Sequence, residues 1–322
     1  MNTESLSFNE AIHIAQALRD EIGKAVFGQK EMIEQVLVAL FAGGHVLIEG
    51  APGLGKTLFV KALAKTFDSE FARVQFTPDL TPSEITGQVV YDPQAQRFRL
   101  FKGPVFANLL LADQINRAPA RTQAALLEVM QERQVTLRGQ TVALTQPFMT
   151  LATQNPVEME GTYPLSEAQL DRFLLTAQAA YPTETEEKAL LEQAASRPSG
   201  DLLDVSMVST LVKPPAIHDI QMAVSKLTVD PRVLDYAVRI VRRTREWPGV
   251  LMGGSPRGTI ALIRAARARA FLEGRNFVTP DDVKTMAAPC LRHRLILAPE
   301  IEIEGQRSEN IIAALLDKIA IH

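Results

Sequence analysis

Gly50-Ala51-Pro52-Gly53-Leu54-Gly55-Lys56-Thr57 follows the short apolar run His45–Glu49 and opens a helical pattern that continues from Lys56 to Phe67. The segment fits G-x-x-x-x-G-K-[S/T] in full. Its glycines let backbone N–H groups turn inward around phosphate oxygens, Lys56 can reach β- and γ-phosphates, and the Thr57 hydroxyl is a ligand for Mg²⁺. The positive end of the following helix adds to that field. By composition alone such a pattern arises in roughly one chain of this length in a hundred. The alternative is an ordinary glycine-rich turn, and the order strand, loop, helix counts against it.

Outward from this loop the same alternation continues. Short apolar runs at Ala72–Phe76, Leu109–Ala112, Met149–Thr153 and Phe173–Ala177 are separated by helical stretches such as Ala120–Gln131 and Glu184–Ala194. Amphipathic helices are expected over Ser7–Lys24 and Lys30–Phe41, joined by a turn at Val26–Gln29. Alternation of this kind implies a parallel sheet covered by helices, an α/β fold of αβα layers. Two pairs of β-type runs interrupt it, Gln88–Tyr91 with Phe98–Phe101 and Val135–Leu137 with Thr141–Leu144, and each reads as a hairpin (about 86–103 and 133–146).

The pattern degrades between Ser196 and Ala216, where Pro198, Ser199, Gly200, Pro214 and Pro215 punctuate the chain. This divides it into 1–195, a nucleotide-binding core, and 196–322, an all-α second domain with helices over Pro231–Glu246, Ser255–Glu273, Pro280–Ala288 and Ser308–Ile321. Thr279, Pro280 and Asp281–Asp282 make a good helix start. At 322 residues two domains are the expected number.

Apolar residues at 46% and charged residues at 22% exclude disorder and coiled-coil rods, and a formal charge of −3 offers no bulk field for nucleic acid or anionic membrane. The single cysteine, Cys290, cannot form an intrachain disulfide and suits a reducing cytoplasm. The five histidines have no metal-ligand spacing. No secretory signal or membrane span is expected, the longest apolar run (Val36–Ile48) being broken by Gly43, Gly44 and His45.

The loop needs a carboxylate partner for its metal. Leu109-Leu110-Leu111-Ala112-Asp113 is an apolar strand ending in an acid, with Asp113 placed to hold Mg²⁺ through water. The next residue is Gln114, where hydrolytic sites of this kind carry a glutamate that polarises water. Glutamine is nearly isosteric and can hydrogen-bond, but it has no charge with which to take up a proton.

These segments together resemble a MoxR-type AAA+ ATPase of the helix-2-insert group. The likeness rests on Val26–Gln29, the phosphate loop, Ala112-Asp113-Gln114-Ile115-Asn116-Arg117-Ala118-Pro119, Ala152-Thr153-Gln154-Asn155-Pro156, Leu170-Asp171-Arg172-Phe173 and Ser255-Pro256-Arg257, in family order over residues 8 to 320. It implies a P-loop core followed by an α-helical lid, with ATP (or ADP) and Mg²⁺ held near their junction. Gly50, Ala51, Pro52, Gly53, Leu54, Gly55, Lys56, Thr57 and Leu58 would hold phosphate, Thr57 and Asp113 the metal, and Phe27, Gly28 and Gln29 would pack near adenine. Asn155 would orient the attacking water, an Asn-Pro turn being the compatible local reading. Arg172 would be the arginine finger reaching a neighbouring subunit's nucleotide, against the alternative of a surface pair with Asp171. Arg257 would sense phosphate from the lid, and Arg117 would face a subunit interface. The Gln88–Phe101 hairpin takes the position of the helix-2 insert and Val135–Leu144 that of the pre-sensor hairpin.

The resemblance further implies a homo-oligomer, a hexameric ring, acting as a chaperone on protein clients, among them proteins with von Willebrand factor A domains. The hairpin tips, Asp92–Gln96 and Arg138–Gln140, carry little positive charge, which favours a protein client over a nucleic-acid motor. Arg239, Arg242, Arg243, Arg245, Arg264, Arg267, Arg269 and Arg275 read as ion-paired arginines interleaved with Glu246 and Glu273, and His293 as a satisfied structural histidine. Gln114 leaves nucleotide and metal binding intact while lowering turnover. Either it belongs to a naturally non-hydrolysing, ATP-gated scaffold, or it replaces the glutamate deliberately so as to hold the ATP state.

Overall fold

A computed structural model of the chain describes residues 6–94, 96–156, 160–195 and 204–320. The first part runs α1 (Phe8–Ala25), α2 (Lys30–Phe41), β1 (Val46–Glu49), α3 (Lys56–Thr66), β2 (Phe71–Gln75), α4 (Pro82–Thr86), β3 (Gly87–Asp92), β4 (Arg97–Lys102), β5 (Leu109–Asp113), α5 (Ala120–Glu132), β6 (Gln134–Leu137), β7 (Gln140–Ala143), β8 (Met149–Gln154), α6 (Glu167–Leu170), β9 (Leu175–Gln178) and α7 (Glu184–Ala195). The second part is α8 (Pro214–Ser225), α9 (Pro231–Thr244), β10 (Val250–Met252), α10 (Pro256–Leu272), α11 (Pro280–Leu291), β11 (Ile296–Leu297), α12 (Pro299–Ile303) and α13 (Ser308–Lys318).

Five strands form one parallel sheet in the order β2-β5-β8-β1-β9, with Val46 opposite Leu151 and Leu110 opposite Thr150. Successive residues of β5 enter opposite cores: Leu109 and Leu111 face α1, α2 and α3, whereas Leu110 and Ala112 face α5. A strand buried on both faces has no polar side to alternate, so it reads as an unbroken apolar run. Leu18, Ile22, Leu37, Leu40 and Phe59 are fully enclosed on the helical side, each stabilising the fold by about 1.5–3 kcal/mol. A capping box starts α1, where the Ser7 N–H donates to Glu10 Oε2 at 2.9 Å and the Glu10 N–H to Ser7 Oγ at 3.4 Å.

The interrupting runs form two antiparallel hairpins, β3–β4 and β6–β7, outside the main sheet. The lid is predominantly helical but also carries a short antiparallel β10–β11 ribbon, which the sequence reading does not include. That reading also lacks α8, because it takes Pro214 and Pro215 as breakers. They occupy the first turn of the helix instead, where a missing N–H costs no helical hydrogen bond. The boundary expected at Pro198, Ser199 and Gly200 lies outside the described residues, as does Ala95 in the first hairpin tip.

The lid docks along α2 and the edge strand β9, so the sheet edge on that side is covered. Part of its polar contact falls on α2, whose terminal carbonyls are open to side-chain donors. Arg264 Nη2 donates to Ala42 O at 2.6 Å and Gln221 Nε2 to Leu40 O at 2.7 Å, while Arg269 pairs with Glu34. Other arginines of the second part are paired as expected: Arg239 with Asp235 at 2.7 Å, Arg243 with Glu246 at 3.4 Å and Arg275 with the buried Asp282 at 2.6 Å. Burial pushes the Cys290 thiol up to about 12, so it is no nucleophile. His293 is structural but not satisfied: neither ring nitrogen has a hydrogen-bond partner of good geometry, and burial drives its pKa well below the usual range.

Candidate functional site

The parallel order brings the carboxyl ends of β1, β5 and β8 to one side, and the loops that follow them line a cavity of about 670 Å³. Open α/β sheets bind ligands at this end. Pro52, Gly53, Leu54, Gly55, Lys56, Thr57 and Leu58 form one wall, and Asp113, Gln114 and Asn155 another. Gly53 and Gly55 have φ of 83° and 75°, and a Cβ on either would meet nothing within 4 Å. The left-handed backbone therefore demands glycine, while the space beside it is open for a phosphate. Gly50 and Ala51 stand behind the wall, their carbonyls accepting from Lys56 Nζ at 2.7 and 3.2 Å. Burial lowers the Lys56 pKa, opposed by the nearby charge of Asp113.

Asp113 is held from both sides. Thr153 Oγ1 donates to its Oδ1 at 2.6 Å, and Arg73 donates to its Oδ2 from Nη2 at 2.7 Å and Nε at 3.2 Å. Thr153 Oγ1 also accepts the Gln114 N–H at 2.9 Å, which fixes the backbone where β5 ends. Gln114 has φ of 57°, an uncommon conformation for a residue with a side chain. Its Oε1 accepts from Gln75 Nε2 at 2.8 Å, and Gln75 Oε1 accepts from Arg73 Nη2 at 2.8 Å. The Thr57 hydroxyl and the Asp113 carboxylate open into the same cavity. Hard oxygen donors in this number suit an Mg²⁺ ion that takes its other ligands from phosphate and water. No trio of His, Cys, Asp or Glu competes as a metal cluster among the described residues.

At the far end of the cavity Val26, Phe27, Tyr181, Pro182 and Leu190 supply apolar surface. Phe27 and Gln29 line it, but Gly28 does not. Gly28, at φ 69°, packs so closely on Pro182 that a Cβ would sit 2.8 Å from the proline Cβ. The Gln29 amide, expected near adenine, is buried and donates to Ala180 O at 2.6 Å, where it pins the β9–α7 connection. Arg73, Gln75, Tyr181 and Leu190 are lining residues that the motif reading missed, and Thr153 one that it quoted without a role. Arg73 and Gln75 lie two apart on β2 and so share a face.

Arg172 and Arg257 are elsewhere. The lining of the first cavity runs from Ala25 to Leu190, with no lid residue in it among the described residues. Both arginines line a second cavity of about 280 Å³ at the amino-terminal ends of β1 and β9, bordered by Gly44, His45 and Leu174. Arg257 thus lines the second cavity and not the one formed by the phosphate loop, although other lid residues reach the carboxyl end of the sheet, where Gln178 Nε2 donates to Glu309 Oε1 at 2.9 Å. Arg133, Arg264 and Arg294 line the same cavity. Arg133 Nη2 donates to Gly43 O at 2.9 Å, and Arg294 Nε donates to Asp171 Oδ1 at 2.7 Å. Asp171 also accepts from Ser255 Oγ at 2.9 Å, so the alternative of an Asp171–Arg172 surface pair is not formed. Arg172 Nε is enclosed without a partner. His45 closes the floor, donating from Nε2 to Met130 O and accepting at Nδ1 from the Thr150 N–H, both at 3.0 Å. Burial lowers its pKa to about 4, so the ring is neutral.

Comparison with known proteins agrees with this fold. The family model described as ATPase family associated with various cellular activities (AAA) matches residues 45–175, and the AAA lid domain model matches residues 242–315. The chain is 41% identical over 98% of both sequences to the uncharacterized protein YeaC of Bacillus subtilis. It is 38% identical to Chaperone MoxR1 of Mycobacterium tuberculosis, over 96% of this chain and 83% of that one. A crystal structure of a Cytophaga hutchinsonii protein superposes with a TM-score of 0.89 at 40% identity, covering 98% of this chain and 97% of the other. No helix among the described residues is long and apolar enough to cross a membrane. The chain belongs to the MoxR family of AAA ATPases.

Proposed function

We propose that this chain is the subunit of an ATP-driven ring, hexameric and cytoplasmic, that remodels protein clients, and that Gln114 leaves it able to bind ATP but slow to hydrolyse it. The observation that carries the reading is the separation of the two cavities to opposite ends of β1. A nucleotide site at one end and unpaired arginines at the other suit head-to-tail contact between copies, which closes into a ring when the rotation allows. The backbone of Gly53–Thr57 and the Lys56 ammonium bind the triphosphate, and Thr57 and Asp113 hold Mg²⁺. Asn155 orients water, and Arg172, with Arg257 beside it, neutralises charge on the neighbour's phosphates. Held by Thr57 and Asp113, Mg²⁺ would supply neutralisation of phosphate charge. The name of the mycobacterial relative supports a chaperone role, and the family resemblance suggests partners with von Willebrand factor A domains.

The non-hydrolysing scaffold remains a second reading because Gln114, already accepting from Gln75, has no charge with which to activate water. The test is turnover and particle mass of the chain beside Gln114→Glu, with and without ATP. A ring that assembles with ATP and hydrolyses only with the glutamate supports the motor. A glutamate variant with no gain in turnover supports the scaffold, and a monomer under every condition overturns both.

A further inference from the structure

All six residues of β4, Arg97-Phe98-Arg99-Leu100-Phe101-Lys102, are exposed. Phe98 is 58% exposed, Phe101 53% and Tyr91 49%, and Val90 and Leu100 are open as well. A monomeric soluble protein rarely leaves such a contiguous apolar surface uncovered. The tips hold few cations, as the sequence reading has it, but the body of the strand does not follow them: Arg97, Arg99 and Lys102 stand against one acid, Asp92, which pairs with Arg99 at 3.3 Å. Arg138 from the β6–β7 turn adds a fourth cation, its guanidinium 4.6 Å from the Phe98 ring. The two hairpins thus meet in one basic and aromatic surface.

The pairing sorts these groups. Tyr91 lies opposite Phe98 and Val89 opposite Leu100 on one face, whereas Arg97 and Arg99 share the other face with Asp92 and Val90. The ribbon has two strands only, so the outer edge of β4 carries backbone donors and acceptors that no further strand takes up. We infer that this edge receives an extended segment of a protein client, alternately acidic and apolar, as an added third strand. Its acids would lie opposite Arg97 and Arg99, its apolar side chains opposite Phe98 and Leu100, and its backbone would extend the ladder. Cations among aromatic rings also suit single-stranded nucleic acid. The aliphatic Val90 and Leu100 within the patch, the pairing of Arg99 to Asp92 and a chain charge of −3 favour the peptide. The inference rests on the chaperone reading and names the chemistry of its client.

The probe is a fluorescein-labelled decapeptide of alternating Glu and Val, titrated into the full chain with ATP and Mg²⁺ and read by anisotropy. Comparison probes are its Lys/Val counterpart, a copy with alternate backbone nitrogens methylated, and a twenty-residue oligo-dT. The Glu/Val peptide is expected to bind in a salt-sensitive way, and the Lys/Val and N-methylated peptides at least tenfold more weakly. Arg97→Glu with Arg99→Glu, and separately Phe98→Ala with Leu100→Ala, are expected to weaken it tenfold or more, with ATP affinity and thermal melting unchanged as evidence of an intact fold. The inference is overturned if the Glu/Val peptide does not bind, if charge reversal or N-methylation has no effect, or if oligo-dT binds through the same residues in its place. ATP-dependent assembly persisting while the peptide fails removes this inference alone; peptide binding without assembly removes the ring reading and leaves the surface.

Discussion

The two cavities at the ends of β1 differ in whether their charges have partners. In the first, Lys56 rests on the carbonyls of Gly50 and Ala51, and Asp113 is held by Thr153 and Arg73. In the second, Asp171 is doubly bonded to Arg294 and Ser255, yet Arg172 beside it keeps a buried Nε with nothing to donate to. An orphaned donor of this kind costs roughly 1–3 kcal/mol. The difference teaches that the charges of the first cavity are satisfied within the chain, whereas the second keeps one enclosed donor in Arg172 for which the chain supplies no acceptor, as the ring proposal requires.

The largest effect should come from breaking that division. In a Gln114→Glu background, Arg172→Ala is expected to lower turnover on the order of 10³-fold with little change in ATP affinity. Lys56→Ala should abolish ATP binding outright. Mixing these two inactive chains should recover part of the turnover, because each supplies the half that the other lacks; no recovery in a steady-state ATPase assay would place both functions within one chain. Next in size, Gln114→Glu alone should raise turnover on the order of 10²-fold, the range of a general base, with nucleotide affinity unaltered.

Smaller effects fall on stability. Arg294→Met leaves Asp171 without its buried partner, which should cost on the order of 3 kcal/mol, read as a lower urea midpoint. Arg294→Lys should recover little of it, since one ammonium cannot reach Asp171, Phe173 and Leu174 together. His45 should set a mild acid limit. Its pKa in the fold is about 4 against an ordinary 6.5, so the folded protein favours the neutral ring. Its contribution is full above pH 6.5, declines as the unfolded chain takes up a proton between pH 6.5 and 4, and is lost below that, about 3 kcal/mol in all. Urea midpoints across this window should fall less steeply in His45→Gln than in the parent chain.

How much of this was legible in the sequence varies by region. Helix α2 over Lys30–Phe41 falls where its periodicity puts it, and β5 was evident because burial on both faces leaves an unbroken apolar run. The phosphate loop, Asp113 and Asn155 were legible because each ends a strand within a motif. Arg73, Gln75 and Tyr181 were not, because they enter the cavity through the strand order and the β9–α7 connection, which no local pattern encodes. Helix α8 was hidden by Pro214 and Pro215, whose meaning depends on whether a helix begins or ends there. Arg257 shows a similar limit: the motif names the residue, but only the packing of α10 decides that it lines the second cavity.

The contact of Asp171 with Arg294 and Ser255 has a mechanical consequence. Asp171 and Arg172 are neighbours along the backbone, their Cα atoms about 3.8 Å apart across a trans peptide. A tilt of the lid that displaced Arg294 or Ser255 would therefore bear on the residue next to Arg172. On the ring proposed above, the lid of one subunit would then bear on the arginine offered to the next, with a single peptide bond between the two contacts.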